Sequence, residues 1–236
     1  MLFAQPKATS YTMSSRVRKT IRRCLSGLIL LPVMIVSLTL KAEDLENTFV
    51  DGTDFSKLVM AHSQNKTDLD QLESISNIEI FYWYGCESCY QVELALQQYL
   101  DRHPEVTLRR TPLIARPSWR FQANLQAIME QLSGEVQTVP SNQIYQACLP
   151  DCQKFNSYDN NKAWLAKSMQ LSEFPVLDMS RLWNTEKNYQ KRADLFSITQ
   201  VPTIIINETF KIDANQAKTP VRMVEIADHL LSSAAR

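Results

Sequence analysis

The stretch Asn77-Ile-Glu-Ile-Phe-Tyr-Trp-Tyr-Gly-Cys-Glu-Ser-Cys89 decides the fold of this chain of 236 residues. Its first eight residues are rich in β-branched and aromatic side chains and end at Gly85, which is typical of a buried strand. After Gly85 the apolar residues recur at helical spacing, and this predicts a helix. The members of that apolar face are Cys89, Val92, Leu96 and Tyr99. Two cysteines therefore lie where a strand gives way to a helix.

Cys86 and Cys89 are spaced for chemistry at this junction. Residues three apart are neighbours on a helix, at a separation that a disulfide accepts. Cys86 would lie at the helix N-terminus, where free backbone N–H groups and the helix dipole stabilise a thiolate. Cys89 continues the apolar face, so it should be shielded. We predict that Cys86 is the nucleophile and Cys89 the resolving thiol of a redox site; a structural disulfide or half of a zinc site is the alternative.

The N-terminal segment 1–42 has the pattern of an export signal. It carries seven basic side chains and no acidic one, whereas the rest of the chain has 18 basic and 25 acidic residues. A basic stretch, Arg16–Arg23, precedes the uncharged run Cys24–Leu40, and the small residue Ala42 is the expected cleavage site. The length of the uncharged run also leaves a retained membrane anchor as an alternative. The acidic remainder argues against nucleic-acid binding, which needs clustered Lys and Arg.

A second cysteine pair lies further along, in Cys148-Leu-Pro-Asp-Cys152. If Cys24 leaves with the signal, four cysteines remain, and an even number in an oxidising compartment favours disulfides. Pro150 disfavours a continuous helix between the two cysteines. We predict a structural disulfide here; a second redox pair and free thiols are the alternatives. The three histidines show no metal-site spacing, so neither a metal nor another cofactor is expected.

The remaining segments predict a mixed α/β protein with a helical block. Strands are predicted at Val106–Thr111, Val201–Ile206 and Thr209–Asp213, and a final helix begins at Thr219-Pro220. Residues 116–196, between the strands predicted at 106–111 and 201–206, show no strand pattern. The first helix of this segment has a predicted apolar face that consists of Phe121, Leu125, Ile128 and Leu132. Three tryptophans are predicted to lie in the core of the block: Trp119, Trp164 and Trp183.

These motifs resemble those of the DsbA-type periplasmic thiol:disulfide oxidoreductases, members of the thioredoxin superfamily. The resemblance rests on Ile80-Phe-Tyr-Trp-Tyr-Gly-Cys-Glu-Ser-Cys-Tyr-Gln-Val-Glu93, Val201-Pro-Thr203 and Ile206-Asn-Glu-Thr-Phe-Lys211. It implies an α/β architecture, a thioredoxin fold with an inserted helical domain. The expected domains are a signal peptide at 1–42, a first thioredoxin part at 43–115, the helical insertion at 116–184 and a second thioredoxin part at 185–236.

The resemblance also implies an activity and partners. The enzyme would introduce disulfides into exported proteins in the periplasm, and a DsbB-type membrane protein would reoxidise it. Pro202 would be cis and would pack against the Cys86–Cys89 disulfide, leaving the backbone of Val201 free to pair with an extended substrate. Glu93 matches an acidic position after the redox motif and would assist proton movement near Cys89; a solvated helix carboxylate is the alternative.

The chain departs from the family between the two cysteines. Strongly oxidising members usually carry Pro-His there, whereas this chain has Glu87-Ser88. A histidine stabilises the neighbouring thiolate, but the charge of Glu87 should raise the pKa of Cys86. We therefore expect a weaker oxidant, and a reductase or isomerase stays open. From another class, a non-catalytic module that binds peptides or zinc is the alternative.

Overall fold

A computed structural model describes residues 49–58, 77–134 and 139–234 of the chain. The expected signal peptide or anchor at 1–42 lies outside these residues. Within the described ranges, no helix combines the length and the apolar character that crossing a membrane requires.

The strands form one mixed sheet. They are β1 (Ser56–Lys57), β2 (Ile78–Tyr82), β3 (Leu108–Pro112), β4 (Thr203–Ile206) and β5 (Phe210–Asp213). Their spatial order is β1-β5-β4-β2-β3. Strands β2 and β3 are parallel, while β4 runs antiparallel to both β2 and β5. Strand β2, which leads into the cysteine pair, therefore lies between β3 and β4, and β4 comes from the far end of the sequence.

Seven α-helices lie in the described residues. They are α1 (Glu87–Leu100), α2 (Arg120–Leu132), α3 (Ser141–Cys148), α4 (Tyr158–Ser168), α5 (Met179–Leu195), α6 (Ala214–Ala217) and α7 (Pro220–Ala234). Short 3-10 helices at Pro117–Trp119 and Cys152–Phe155 precede α2 and α4. Asp178 begins α5, because its side chain accepts hydrogen bonds from the first backbone N–H groups of the helix.

Both faces of the sheet are covered, as the alternation of strand side chains requires. Ile78, Ile80 and Tyr82 belong to the larger core, which includes residues of α1 and α7, whereas Phe81 belongs to a second cluster with Ala193 and Phe196. The second cluster places the C-terminal end of α5 against the opposite face of β2. The predicted α/β class with a helical block is confirmed.

Helix α5 serves two parts of the fold. Its packing against α2 ties it to the helical block, and its C-terminal end packs on the sheet. The predicted domain boundary between 184 and 185 therefore falls inside a continuous helix. The other domain boundaries stay predictions.

Two sequence expectations for the helical block were wrong. Phe121 is 37% exposed, although it was assigned to the apolar face of α2. The buried face instead includes Gln122 and Gln126, whose amides are satisfied by hydrogen bonds to the fold around them. Trp183 is 53% exposed on α5 rather than in the core.

Candidate active site

The turn that delivers Cys86 is fixed by Trp83. The backbone N–H of Cys86 donates to the Trp83 carbonyl at 3.0 Å, which closes a tight turn between β2 and α1. A Cβ atom at position 85 would overlap the six-membered ring of Trp83, so only glycine fits between the ring and the turn. The sequence Trp-Tyr-Gly-Cys is thus read out as a turn with an aromatic ring packed on its glycine.

Cys86 occupies the N-cap position of α1, and its Sγ accepts a hydrogen bond from the backbone N–H of Cys89 at 3.2 Å. The two cysteines form a disulfide with their Cα atoms 5.2 Å apart. Cys86 is partly exposed, whereas Cys89 is fully buried. A free N–H group therefore points at the more accessible sulfur, where it would stabilise negative charge.

The two residues between the cysteines are exposed. The Ser88 hydroxyl lies 3.3 Å from the Sγ of Cys86. The Glu87 carboxylate accepts a hydrogen bond from the Gln91 side chain at 3.0 Å, one turn further along α1. The dipeptide thus places one hydroxyl directly beside the sulfur and one carboxylate on the outer side of the first helical turn.

Pro202 lies at the same end of the sheet as the cysteines. The Val201–Pro202 peptide bond is cis, as the family resemblance implies. Phe81 near the end of β2 pairs with Thr203 at the start of antiparallel β4. The residues that follow β2 and those that precede β4 therefore lie at the same end of the sheet. Val201 is partly exposed and Pro202 is buried.

Glu93 is buried, with 3% of its surface exposed, so the alternative of a solvated carboxylate is wrong. It lies one helical turn after Cys89 and accepts hydrogen bonds from the Arg110 guanidinium at 2.8 and 3.0 Å. Burial alone would lower the pKa of Arg110, but the hydrogen bond and charge of Glu93 raise it above its ordinary value. Behind Cys89 there is thus a buried carboxylate neutralised by an arginine from β3.

Three buried tyrosines surround this ion pair and form an aromatic cluster: Tyr82, Tyr84 and Tyr145. Burial raises the pKa of all three hydroxyls well above the ordinary value. The hydroxyls of Tyr82 and Tyr84 both donate to Gln126 at 3.0 Å. Their raised pKa values keep these hydroxyls neutral at physiological pH.

An aromatic stack flanks the site on the side of the helical block. The Trp119 ring stacks on Trp83 with centroids 4.4 Å apart, and the Arg116 guanidinium lies 5.9 Å from the Trp119 centroid. Trp119 also packs against the second hydrophobic cluster, as does Val201. Trp119 is therefore half-buried beside the site and is not a core residue of the helical block, contrary to the sequence expectation.

Cys148 and Cys152 form a second disulfide, with Cα atoms 4.2 Å apart. Cys148 ends α3 and is fully buried, whereas Cys152 begins a 3-10 helix and is partly exposed. The bond lies where Pro150 interrupts the helical backbone. The structural role of this disulfide stays a prediction, and a redox role stays the alternative.

Sequence reasoning missed Arg110, Trp119 and Gln122. Arg110 carried a weak signal, since a cationic residue in a strand with a buried face needs a partner. For Trp119 and Gln122 the sequence offers no signal, because their contacts join segments about forty residues apart. Among the described residues, no group of three His, Cys, Asp or Glu side chains is arranged to hold a metal.

Curated DsbA proteins are similar to this chain over most of its length. The thiol:disulfide interchange protein DsbA of Azotobacter vinelandii is 24% identical over 215 residues, which cover 89% of this chain and 96% of the relative. DsbA of Pseudomonas aeruginosa is 23% identical over 166 residues, covering 69% of this chain and 77% of the relative. No protein-family model matches the sequence.

Solved DsbA structures share the fold. The crystal structure of Pseudomonas aeruginosa DsbA has a TM-score of 0.60 at 19% identity and covers 80% of this chain and 96% of its own. A Proteus mirabilis DsbA, solved with the non-covalently bound peptide PWATCDS, has a TM-score of 0.56 at 14% identity and covers 78% of this chain and 99% of its own.

Fold and sequence similarity together define the class of the protein: a thiol:disulfide oxidoreductase with a thioredoxin fold and an inserted helical domain. Within that class, the proteins that the chain resembles in both sequence and fold are of the DsbA type.

Proposed function

We propose that this protein is a periplasmic oxidase that introduces disulfides into exported proteins through Cys86 and Cys89. The observation that carries the proposal is the asymmetry of the pair. The sulfur of Cys86 caps a helix and is partly exposed, while Cys89 is buried behind it. Such an arrangement favours attack on the outer sulfur and departure of the inner one.

The exchange proceeds in two steps. A substrate thiolate attacks the Sγ of Cys86, the bond between Cys86 and Cys89 breaks, and Cys89 leaves with the electron pair and takes up a proton. A second substrate thiolate then attacks the substrate sulfur of the mixed disulfide and releases Cys86 as a thiolate. The substrate is oxidised by two electrons, and the protein holds them as two reduced cysteines.

Surrounding residues support both steps. The N–H of Cys89 that now meets Cys86 Sγ would stabilise the released Cys86 thiolate. Glu93, one turn after Cys89, is the nearest buried acid in α1 and is our candidate for moving its proton. Its ion pair with Arg110 keeps a charged carboxylate tolerable at this depth.

Substrate chains would bind beside the cis-proline. Val201 precedes the first residue of β4 and is partly exposed, so its backbone can pair with an extended peptide by strand addition. A cysteine-to-serine variant of Proteus mirabilis DsbA holds the cysteine-containing peptide PWATCDS without a covalent bond, which supports peptide binding by a protein of this fold. The proposed substrates are therefore thiols of unfolded or extended exported proteins.

Compartment and reoxidation complete the proposal. The basic and then uncharged pattern of 1–42 supports export to the periplasm. Turnover requires an acceptor for the two electrons, and a DsbB-type membrane protein is the partner that the family resemblance suggests.

A reductase or isomerase is the second candidate function, favoured by Glu87. Its carboxylate lies in the first turn of α1 next to the nucleophile, where a negative charge disfavours the Cys86 thiolate and so weakens the disulfide as an oxidant. The redox state of the pair in cells separates the candidates: an oxidase is held oxidised at rest, and a reductase is held reduced.

A trapping experiment tests the proposed roles. In Cys89→Ser the lone Cys86 thiolate attacks a disulfide of an exported protein, and one client cysteine leaves as a thiolate. The client then stays bound to Cys86 as a mixed disulfide, because no inner thiol can displace it. Affinity purification of this variant from periplasm should recover mixed disulfides that a reductant releases. Cys86→Ser is the matched control and should recover none. Trapping by Cys86→Ser alone would show that the roles are reversed, and equal trapping by both variants would show that the two cysteines do not have distinct roles.

A further inference from the structure

Trp83 controls the geometry of the redox turn. Its carbonyl accepts the N–H of Cys86, and its ring covers Gly85. Any rotation of this residue therefore moves the peptide that presents the Cys86 sulfur to the helix N-terminus. The indole ring extends away from the sheet toward the helical block, where Trp119 stacks on it.

Gln122 holds the polar edge of that indole. This side chain of α2 is buried, with 5% of its surface exposed. Its Oε1 accepts the Trp83 Nε1–H at 3.3 Å, and its Nε2 donates to the backbone carbonyls of Phe155 at 2.9 Å and Cys152 at 3.4 Å. An indole can only donate and a carbonyl can only accept, so these partners fix which way the amide points.

The second disulfide fixes the far end of this link. It joins Cys152, whose carbonyl Gln122 contacts, to Cys148 at the end of α3. Helix α3 also contacts the other flank of the redox motif, since the Gln146 side chain donates to the Tyr90 hydroxyl at 3.0 Å. One crosslink therefore ties together the two segments that touch the residues before and after the cysteine pair.

We propose that Gln122 is a positioning residue for the redox turn, and that the Cys148–Cys152 disulfide supports it by holding the carbonyl to which it donates. The proposal rests on the proposed function. The helical insertion then influences the pKa of Cys86 and the oxidising strength of its disulfide, as well as enclosing the site. It does so through the chain of contacts from Cys152 to Gln122, to Trp83 and to the turn at Cys86.

The effect on redox poise has a definite direction. The reduced protein gains stability from the Cys86 thiolate at the helix N-terminus, and this gain needs the sulfur close to the N–H groups of α1. Loosening Trp83 weakens that alignment, raises the pKa of Cys86 and makes the disulfide a weaker oxidant. One buried hydrogen bond is worth about fivefold in an equilibrium constant. This is the largest change expected in the equilibrium with glutathione, because only the energy that differs between the reduced and the oxidised protein counts.

The test compares Gln122→Met, which removes both hydrogen-bonding ends at nearly constant volume, with the wild type. We expect the Trp83 indole N–H resonance, assigned by its loss in Trp83→Phe, to shift. We also expect the equilibrium constant for reduction by glutathione to fall, by up to about fivefold. Trp83→Phe should lower this equilibrium constant as well. In the variant that combines Gln122→Met with Trp83→Phe, the constant should fall no further than in the single variant with the larger effect. Replacing both Cys148 and Cys152 by serine should lower it in the wild type and add little to Gln122→Met.

Gln153→Met is the matched control, since Gln153 is exposed in the same 3-10 helix as Cys152; it should stay within about twofold of the wild type. An unchanged indole resonance or an unchanged equilibrium constant in Gln122→Met overturns the proposal. If that variant does not fold, Trp83→Phe and the double serine variant decide in the same way. Failure of the wild type to equilibrate with glutathione contradicts the proposed function instead, while the indole resonance still decides whether Gln122 holds Trp83.

Discussion

Cys86 fills a position that Ser, Thr, Asp or Asn usually occupies, because those side chains accept a hydrogen bond from the first turn of a helix. Here a sulfur accepts it, from the N–H of Cys89. A thiolate accepts such a bond more strongly than a thiol, so the cap favours ionisation. The exposed carboxylate of Glu87 in the same first turn opposes it.

The charge at position 87 is a testable control of the nucleophile. Glu87→His should lower the pKa of Cys86 and raise the equilibrium constant for reduction by glutathione, by about tenfold or less given the exposure of the site. Ultraviolet absorbance of the thiolate against pH measures the first quantity, and quenched glutathione mixtures measure the second. Glu87→Gln separates loss of the negative charge from gain of a positive one. Unchanged values in both variants would contradict the electrostatic explanation.

At this scale the sequence predicted the cysteine pair and its neighbours but not their supports. Spacing and the change of period were enough to place Cys86 and Cys89, because a helix N-terminus is a local structure. The burial of Glu93 depends on Arg110, which a different strand brings to it. Such a partner becomes visible only once the register of β3 on β2 is known.

Among the elements, α5 joins the helical block to the sheet through buried charged side chains. Near its C-terminus Arg192 is 4% exposed and donates to Glu79 of β2 at 2.5 Å and to Glu208 at 3.1 Å. The Thr111 hydroxyl of β3 also donates to Glu79. This buried ion cluster lies on the face of β2 opposite the large core and joins α5 to the central strands.

Removing Arg192 should therefore destabilise the protein strongly. Arg192→Met leaves the buried Glu79 carboxylate without its counter-charge, which costs about 3–5 kcal/mol in the free energy of unfolding. Urea denaturation followed by circular dichroism measures the loss. Lys191→Met, at the exposed neighbouring position, is the control and should change stability by about 0.5 kcal/mol or less.

Pairing Arg192→Met with Glu79→Leu separates charge from packing. The double variant should be more stable than Arg192→Met alone, because no unpaired carboxylate remains on β2. Additive losses in the double variant would mean that the two side chains do not depend on each other.

Most elements could be predicted from sequence periodicity, and the failures have physical causes. Strand β2 and helix α1 were found because their apolar patterns are regular. Phe121 was misplaced because buried glutamines, satisfied by hydrogen bonds, take the inward positions of α2. The contact between Glu79 and Arg192 spans 113 residues, and no local pattern reports it.

At the scale of the whole molecule, the described residues form a mixed sheet and a helical block. The block lies between β3 and β4 in the sequence. The sheet brings the cysteine turn and the cis-proline to the same end of its strands, although they are far apart in sequence. The helical block adds Trp119 and Gln122, which contact Trp83 at that end of the sheet. The site is thus assembled from both parts, so its redox properties belong to the whole fold.

The reduction potential of the Cys86–Cys89 pair in the purified protein is the measurement that tests the proposed oxidase most directly. Equilibration in defined glutathione buffers, with the free thiols alkylated and weighed by mass spectrometry, gives the value. We predict a reversible two-electron transition confined to this pair, between about −270 mV, the value of thioredoxin, and about −120 mV, that of a strongly oxidising DsbA. A potential below that of thioredoxin, or a pair that never equilibrates with glutathione, would contradict the account.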